Sequence, residues 1–125
     1  MISPEVEDVA IQLAAISQDI RLRLLFQLAA SPHHVTRLAE LVGTSATNVC
    51  QHLRLMRHAG LIECERQKFR VVYKIRPELL CPCGDGMLAN LKVGPYRLQL
   101  MANKEEAARS AADDGFRVDS KGAMG

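Results

Sequence analysis

The stretch from Ser45 to Ile75, SATNVCQHLRLMRHAGLIECERQKFRVVYKI, constrains the fold of this chain more than any other. It predicts one helix, a glycine stop and a β-hairpin. Ser45 is placed to cap the helix, because its hydroxyl can accept from an orphan N–H of the first turn. Val49, Leu53 and Met56 follow at i, i+4 and i+7 and share one apolar face. Thr47, Gln51, Arg54 and His58 fall on the opposite face. Gly60 stands where a helix favours a left-handed residue. Residues 61–66 and 70–75 then alternate at period two, with Gln67-Lys68-Phe69 as the expected turn. A polar helix face beside a basic hairpin suits simultaneous contact with phosphates and base edges.

The surrounding chain bounds this reading. Its 125 residues suffice for one domain with an adequate core, and a hydrophobic content of 48% argues against general disorder. The net charge of +2 does not by itself indicate a polyanionic partner. The distribution does: from 45 to 76, seven cations (Arg54, Arg57, Arg66, Lys68, Arg70, Lys74, Arg76) face only Glu63 and Glu65, a local balance of +5. Residues 1–10 are acidic and lack a secretory pattern, and no apolar run approaches the roughly 18 residues that span a bilayer. A cytoplasmic chain is expected. Its cysteines, Cys50, Cys64, Cys81 and Cys83, are then reduced and read as ligands, sensors or core residues.

Two helices are expected before the central stretch. Val6, Val9, Ala10, Leu13 and Ile16 mark the first; Ser17 would cap a second through Ile20, Leu24, Leu25 and Leu28. Ser31-Pro32 stops it. A short helix over 37–42, opened by Thr36 and closed by Gly43, then leads into the helix over 46–59, giving helix–tight turn–helix. After Pro77 comes a connector carrying CPCGDG. One or two helical turns are expected over 87–93, and a final helix from Tyr96 fading near Ala112. The fold class is therefore mainly α with a β-hairpin wing, a winged helix-turn-helix dimerising through its first and last helices. The domain would span 1–112, with 113–125 a flexible tail.

Residues 13–76 resemble the ArsR/SmtB family of bacterial winged-helix repressors. The likeness rests on LAAISQDIRLRLLFQLA and on VTRLAELVGTSATNVCQHLRLMRHAGLIECERQKFRVVYKI, whose helix, A-G-L-I junction and charged hairpin are specific in combination. It implies a homodimer that binds double-stranded operator DNA and is released by a small inducer. Carried over by position, the DNA contacts would be Ser45, Thr47, Asn48, Cys50, Gln51 and Arg54 on the reading helix, with Lys68 and Arg70 at the wing tip. Gln51 can pair bidentately with adenine, Arg54 can reach guanine or phosphate, and the wing cations suit phosphate or the minor groove. His52 lies beside the apolar stripe and reads as a packed histidine.

The family's better-known sensing sites are missing. Where arsenic sensors often hold C-x-C this chain has His34-Val35-Thr36, and no histidine follows His58 to supply a zinc site on a last helix. The remaining candidate is Cys81-Pro82-Cys83, whose two thiols can ligate a soft ion while Gly84 and Gly86 let the loop close around it. Cys64 is the first choice for a third ligand and Cys50 the alternative. The expected inducer is a thiophilic ion of the arsenite, antimonite, cadmium or lead class, not needed for folding. Two alternatives stay open: a redox or reactive-sulfur sensor of the same fold, and a winged-helix DNA-binding module without a ligand. No nucleophile–base set, phosphate loop or H-E-x-x-H supports an enzyme.

Overall fold

The computed structural model describes residues 4–102. Four helices come first among these: α1 (Pro4–Ile16), α2 (Asp19–Ala30), α3 (Val35–Val42) and α4 (Ala46–His58). Strand β1 (His33–His34) lies between α2 and α3. The wing comes next as β2 (Ile62–Gln67) and β3 (Arg70–Ile75). After a short 3-10 turn (Pro77–Leu79), β4 (Met87–Val93) and β5 (Tyr96–Met101) form a second hairpin.

Local chemistry explains most boundaries. Ser45 caps α4 as expected, its Oγ accepting from the Asn48 N–H at 3.1 Å. Gly43 and Gly60 take left-handed φ of 76° and 83° and end α3 and the α4 segment. The cap of α2 differs from expectation. Gln18 supplies it, its Oε1 accepting from the Ile20 and Arg21 N–H groups, while Ser17 Oγ donates back to the Ala14 carbonyl. His34 caps α3, its Nδ1 accepting from the Arg37 N–H at 3.4 Å, so this helix opens at Val35. We expect Ser45→Ala to lower stability by about 1 kcal/mol through loss of the cap, measured by urea unfolding.

The helices and wing share one core. Leu24, Leu38, Val49, Leu53, Met56, Leu61 and Ile62 are all 0% exposed. Fully burying each large aliphatic contributes about 1.5–3 kcal/mol, so the apolar stripe of α4 fixes the rotation of that helix. The wing is a three-stranded antiparallel sheet in the order β1-β3-β2, because His33 and His34 pair with Tyr73 and Val72. The histidine pair is thus an edge strand and helix cap.

The region after Pro77 departs from the expected helices. Residues 87–93 and 96–101 are strands, paired from Val93↔Tyr96 down to Met87↔Met101. Ala89, Leu91 and Val93 are buried at alternate positions, and Leu91 joins the core. Short apolar runs fit either period, and here β4 meets α1 and α2 with its period-two face. Dimerisation through a last helix therefore has no support over 96–101. The rest of that expected helix, the domain end at 112 and the tail lie outside the described residues.

Candidate nucleic-acid interface

With Val49, Leu53 and Met56 turned into the core, α4 turns Thr47, Cys50, Gln51 and Arg54 to solvent, and Ser45 at its cap is exposed too. Asn48 is half-buried, and its Nδ2 donates to Thr44 Oγ1 at 3.1 Å, so part of its polar capacity is spent in the turn. His52 accepts on Nδ1 from Arg21 Nη1 at 3.1 Å. Arg21 Nε also donates to the Ala15 carbonyl at 2.5 Å, tying the end of α1 to α4 through one guanidinium. This matches the packed role expected for His52.

The wing turn has two residues, not three. Gln67 pairs with Arg70, leaving Lys68 and Phe69 at the tip. Lys68 takes φ 50°, in the left-handed region that disfavours a Cβ. Phe69 is 98% exposed. Lys68 and Arg70 flank it, both exposed. We expect Lys68→Gly to raise the unfolding free energy by about 1 kcal/mol, whereas Lys68→Ala should not, as followed by denaturant melts.

Turn length sets the register and so places Cys64. A three-residue turn would have put Val72 opposite it; the observed register puts Tyr73 there. Arg57 Nη1 donates to Cys64 Sγ at 3.2 Å. The Tyr73 hydroxyl has its pKa raised by burial first, then by the sulfurs of Cys64 and Cys50, while the Arg57 and Arg54 guanidiniums act the other way. Arg57 on α4 thus meets Cys64 on the wing, with Tyr73 opposite Cys64 across the hairpin. Sequence reasoning placed Arg57 in the basic patch and Phe69 in the turn, but missed that Arg57 meets Cys64 and that Tyr73 stands opposite it. A two-residue turn was the signal that could have found the Tyr73 pairing.

The cysteines do not converge as expected. Cys64 is carried by β2 against Arg57, whereas Cys81 and Cys83 lie on the loop entering β4. Among the described residues, no three His, Cys, Asp or Glu side chains come together to hold a metal ion. Among the described residues of one chain, Cys64 is thus not gathered with Cys81 and Cys83, because the wing strand directs it to the α4 junction. Cys50, on α4 beside the wing, does not complete that set either.

Comparison with known proteins gives this face its meaning. Residues 18–63 match the model for bacterial regulatory proteins of the arsR family. The HTH-type transcriptional regulator YgaV of Escherichia coli K12 is 36% identical over 87 residues, covering 69% of this chain and 84% of that relative. The chain belongs to the arsR family. This regulator is also 37% identical over 67 residues to the HTH-type transcriptional regulator NmtR of Mycobacterium tuberculosis H37Rv, covering 54% of the regulator and 56% of NmtR. Its fold matches a homodimeric winged helix-turn-helix DNA-binding domain of Mycobacterium bovis, a possible ArsR-family transcriptional regulator. There the TM-score is 0.56 at 29% identity, over 58% of this regulator and 68% of that chain. The regulator is thus a DNA-binding winged helix-turn-helix protein, with α3 and α4 as the two-helix unit and β2–β3 as the wing. No helix among the described residues is long and apolar enough to cross a membrane.

Proposed function

We propose that the regulator is a cytoplasmic homodimeric repressor that binds double-stranded operator DNA and loses it when its thiols meet their signal. One observation carries the DNA-reading part. The exposed Thr47, Gln51 and Arg54 stand on a helix whose opposite face is fully buried, beside a wing ending in Lys68 and Arg70. A rigidly seated polar face is what base reading requires, and the wing cations supply the backbone contacts that position it. Ser45, Cys50 and the remaining acceptor of Asn48 would complete the contact set. Homodimerisation has support from the Mycobacterium bovis relative, and α1 offers Val6, Ile11 and Leu13, 55%, 54% and 42% exposed, as apolar surface for a second copy.

The signal enters through Cys81 and Cys83. A thiophilic ion is the first reading, supported by two thiols on one loop and by the neighbouring glycines Gly84 and Gly86. The arsenite, antimonite, cadmium and lead class favours more thiolates than this loop holds, so a further ligand would come from the second copy. Oxidation is the second reading, favoured by Cys50, an exposed thiol on the reading helix itself. The deciding experiment titrates the reduced protein onto operator DNA, then adds each thiophilic ion, peroxide or polysulfide in turn. Release by ions alone supports the first reading and release by oxidants alone the second. Unchanged binding with every addition leaves the ligand-independent module. Failure to prefer any duplex over random DNA overturns the repressor.

A further inference from the structure

We propose that Cys81, Cys83, Met87 and Met101 form an all-sulfur site for a soft monovalent ion, copper(I) or its silver(I) analogue. The proposal deepens the reading that the signal enters at Cys81 and Cys83. It begins with a loop already held in place. The Cys81 N–H donates to the Asn90 carbonyl at 2.8 Å, and Asn90 Nδ2 donates to the Pro82 carbonyl at 3.0 Å. A bridge between Leu80 and Leu91 anchors the chain just upstream. Both thiols therefore leave a segment clamped to β4. Asn90 Oδ1, buried beside that clamp, has no hydrogen-bond partner among the described residues.

The second pair of sulfurs converges on the same turn. The Met87 N–H donates to the Gly84 carbonyl at 3.2 Å, closing residues 84–87 on themselves. The Gly84 N–H in turn donates to Met87 Sδ at 3.3 Å, which sets this thioether against the residue next to Cys83. Met101 is the strand partner of Met87 across the hairpin, beside a bulge that re-aims side chains. The methyl of Met87 lies 3.7 Å from where a Cβ on Gly84 would stand, and that of Met101 3.7 Å from a Cβ on Gly86. Both methionines thus lie on the Gly84-Asp85-Gly86 turn. Gly86, at φ 79°, also needs the freedom of glycine. Cys83 is exposed and Met101 is 52% exposed, so an ion can reach the sulfurs from solvent.

The donor set selects the ion. Thioethers are neutral and soft; they bind d10 copper(I) or silver(I) well and compete poorly for divalent ions or trivalent arsenic. The divalent ions and arsenic would want a third anionic or imidazole donor, and none gathers with the two cysteines among the described residues. Copper(I) is content with two thiolates and a thioether. Binding exchanges the two S–H bonds for two copper–sulfur bonds and releases two protons, with no change in oxidation state.

The test uses the full reduced chain without oxygen. Copper(I) is titrated against a chromophoric copper(I) chelator, silver(I) uptake is counted by native mass spectrometry, and copper-edge X-ray absorption identifies the ligands. One ion per chain in an all-sulfur shell is expected. Met87→Leu with Met101→Leu keeps the volume and should weaken copper(I) by roughly 10- to 100-fold or more, the range that even outer-shell losses reach. Cadmium uptake and thermal unfolding should stay unchanged. Cys81→Ser with Cys83→Ser should abolish uptake. Wild-type copper affinity in the double leucine variant, nitrogen or oxygen in the shell, or tighter binding of cadmium or arsenite than of copper(I) would overturn the site. Operator binding by the metal-free protein is measured in parallel, so a failed DNA reading and a failed copper site give separate results.

Discussion

Replacing Gly94 with alanine is expected to lower the unfolding free energy by about 2–5 kcal/mol, combining a left-handed backbone penalty with overpacking. Gly94 sits at φ 60° in the two-residue turn between β4 and β5. A Cβ there would stand far inside van der Waals contact with Cγ2 of Val9 on α1. Val9 is itself only 7% exposed and has little room to retreat. Gly43 is the control. Its φ of 76° carries the same backbone penalty, but a Cβ would meet nothing within 4 Å. Gly43→Ala should therefore cost about 1–2 kcal/mol, the backbone part alone. Equal losses in the two variants, measured by guanidinium unfolding at constant m-value, would mean that the second hairpin does not press on α1.

The other large effect belongs to the reading helix. Gln51→Ala should cost about 1–3 kcal/mol of operator binding, roughly 5- to 150-fold in Kd, and should relax the preference at one base pair. Because Gln51 is exposed, its loss should leave the melting temperature unchanged. Lys68→Ala is expected to behave differently. It should weaken binding to all sequences alike and reduce the slope of log affinity against log salt by about one phosphate contact. Fluorescence anisotropy at several salt concentrations, on operator and scrambled duplexes, separates the two. A Gln51 variant that weakens both duplexes equally would reassign this side chain to the backbone.

Such a clean division of roles rests on how firmly α4 is held. Its register in the core comes from Val49, Leu53 and Met56, and the Arg21–His52 contact adds a polar tie to α2. Mutations on the outer face should therefore act on DNA alone. Cys50 has a double position. It lies on the outer face, yet its sulfur contributes to the field at Tyr73, where the wing meets the helix.

The legibility of the chain varies with the range of the interactions involved. The Ser45 cap, the α4 stripe and the stops at Gly43 and Gly60 were all readable, because each depends on residues within a turn or two of one another. The polar positions proposed to face DNA were readable because a 3.6-residue period and a hairpin tip leave few surfaces to choose from. What Cys64 faces was not readable. Cys64 is separated from Cys81 by a full strand, and a one-residue difference in the wing turn decides what it faces. Met87 and Met101 escaped notice because a helix over 96–112 would never have set them opposite one another.

A helix-turn-helix with a basic wing follows from the order of residues alone, since caps, glycine stops and apolar periodicity act locally and agree with one another. The form of the chain after Pro77 was settled by packing between distant elements. Leu88, Leu91, Leu98 and Leu100 satisfy a helix or a strand almost equally well, and the choice fell to packing: a period-two face on β4 buries Ala89, Leu91 and Val93 against the helices, and Gly94 lets that hairpin close onto Val9. The pairing of β4 with β5 likewise sets Met101 opposite Met87, fourteen residues away in the chain, beside the Gly84-Asp85-Gly86 turn that follows the two cysteines.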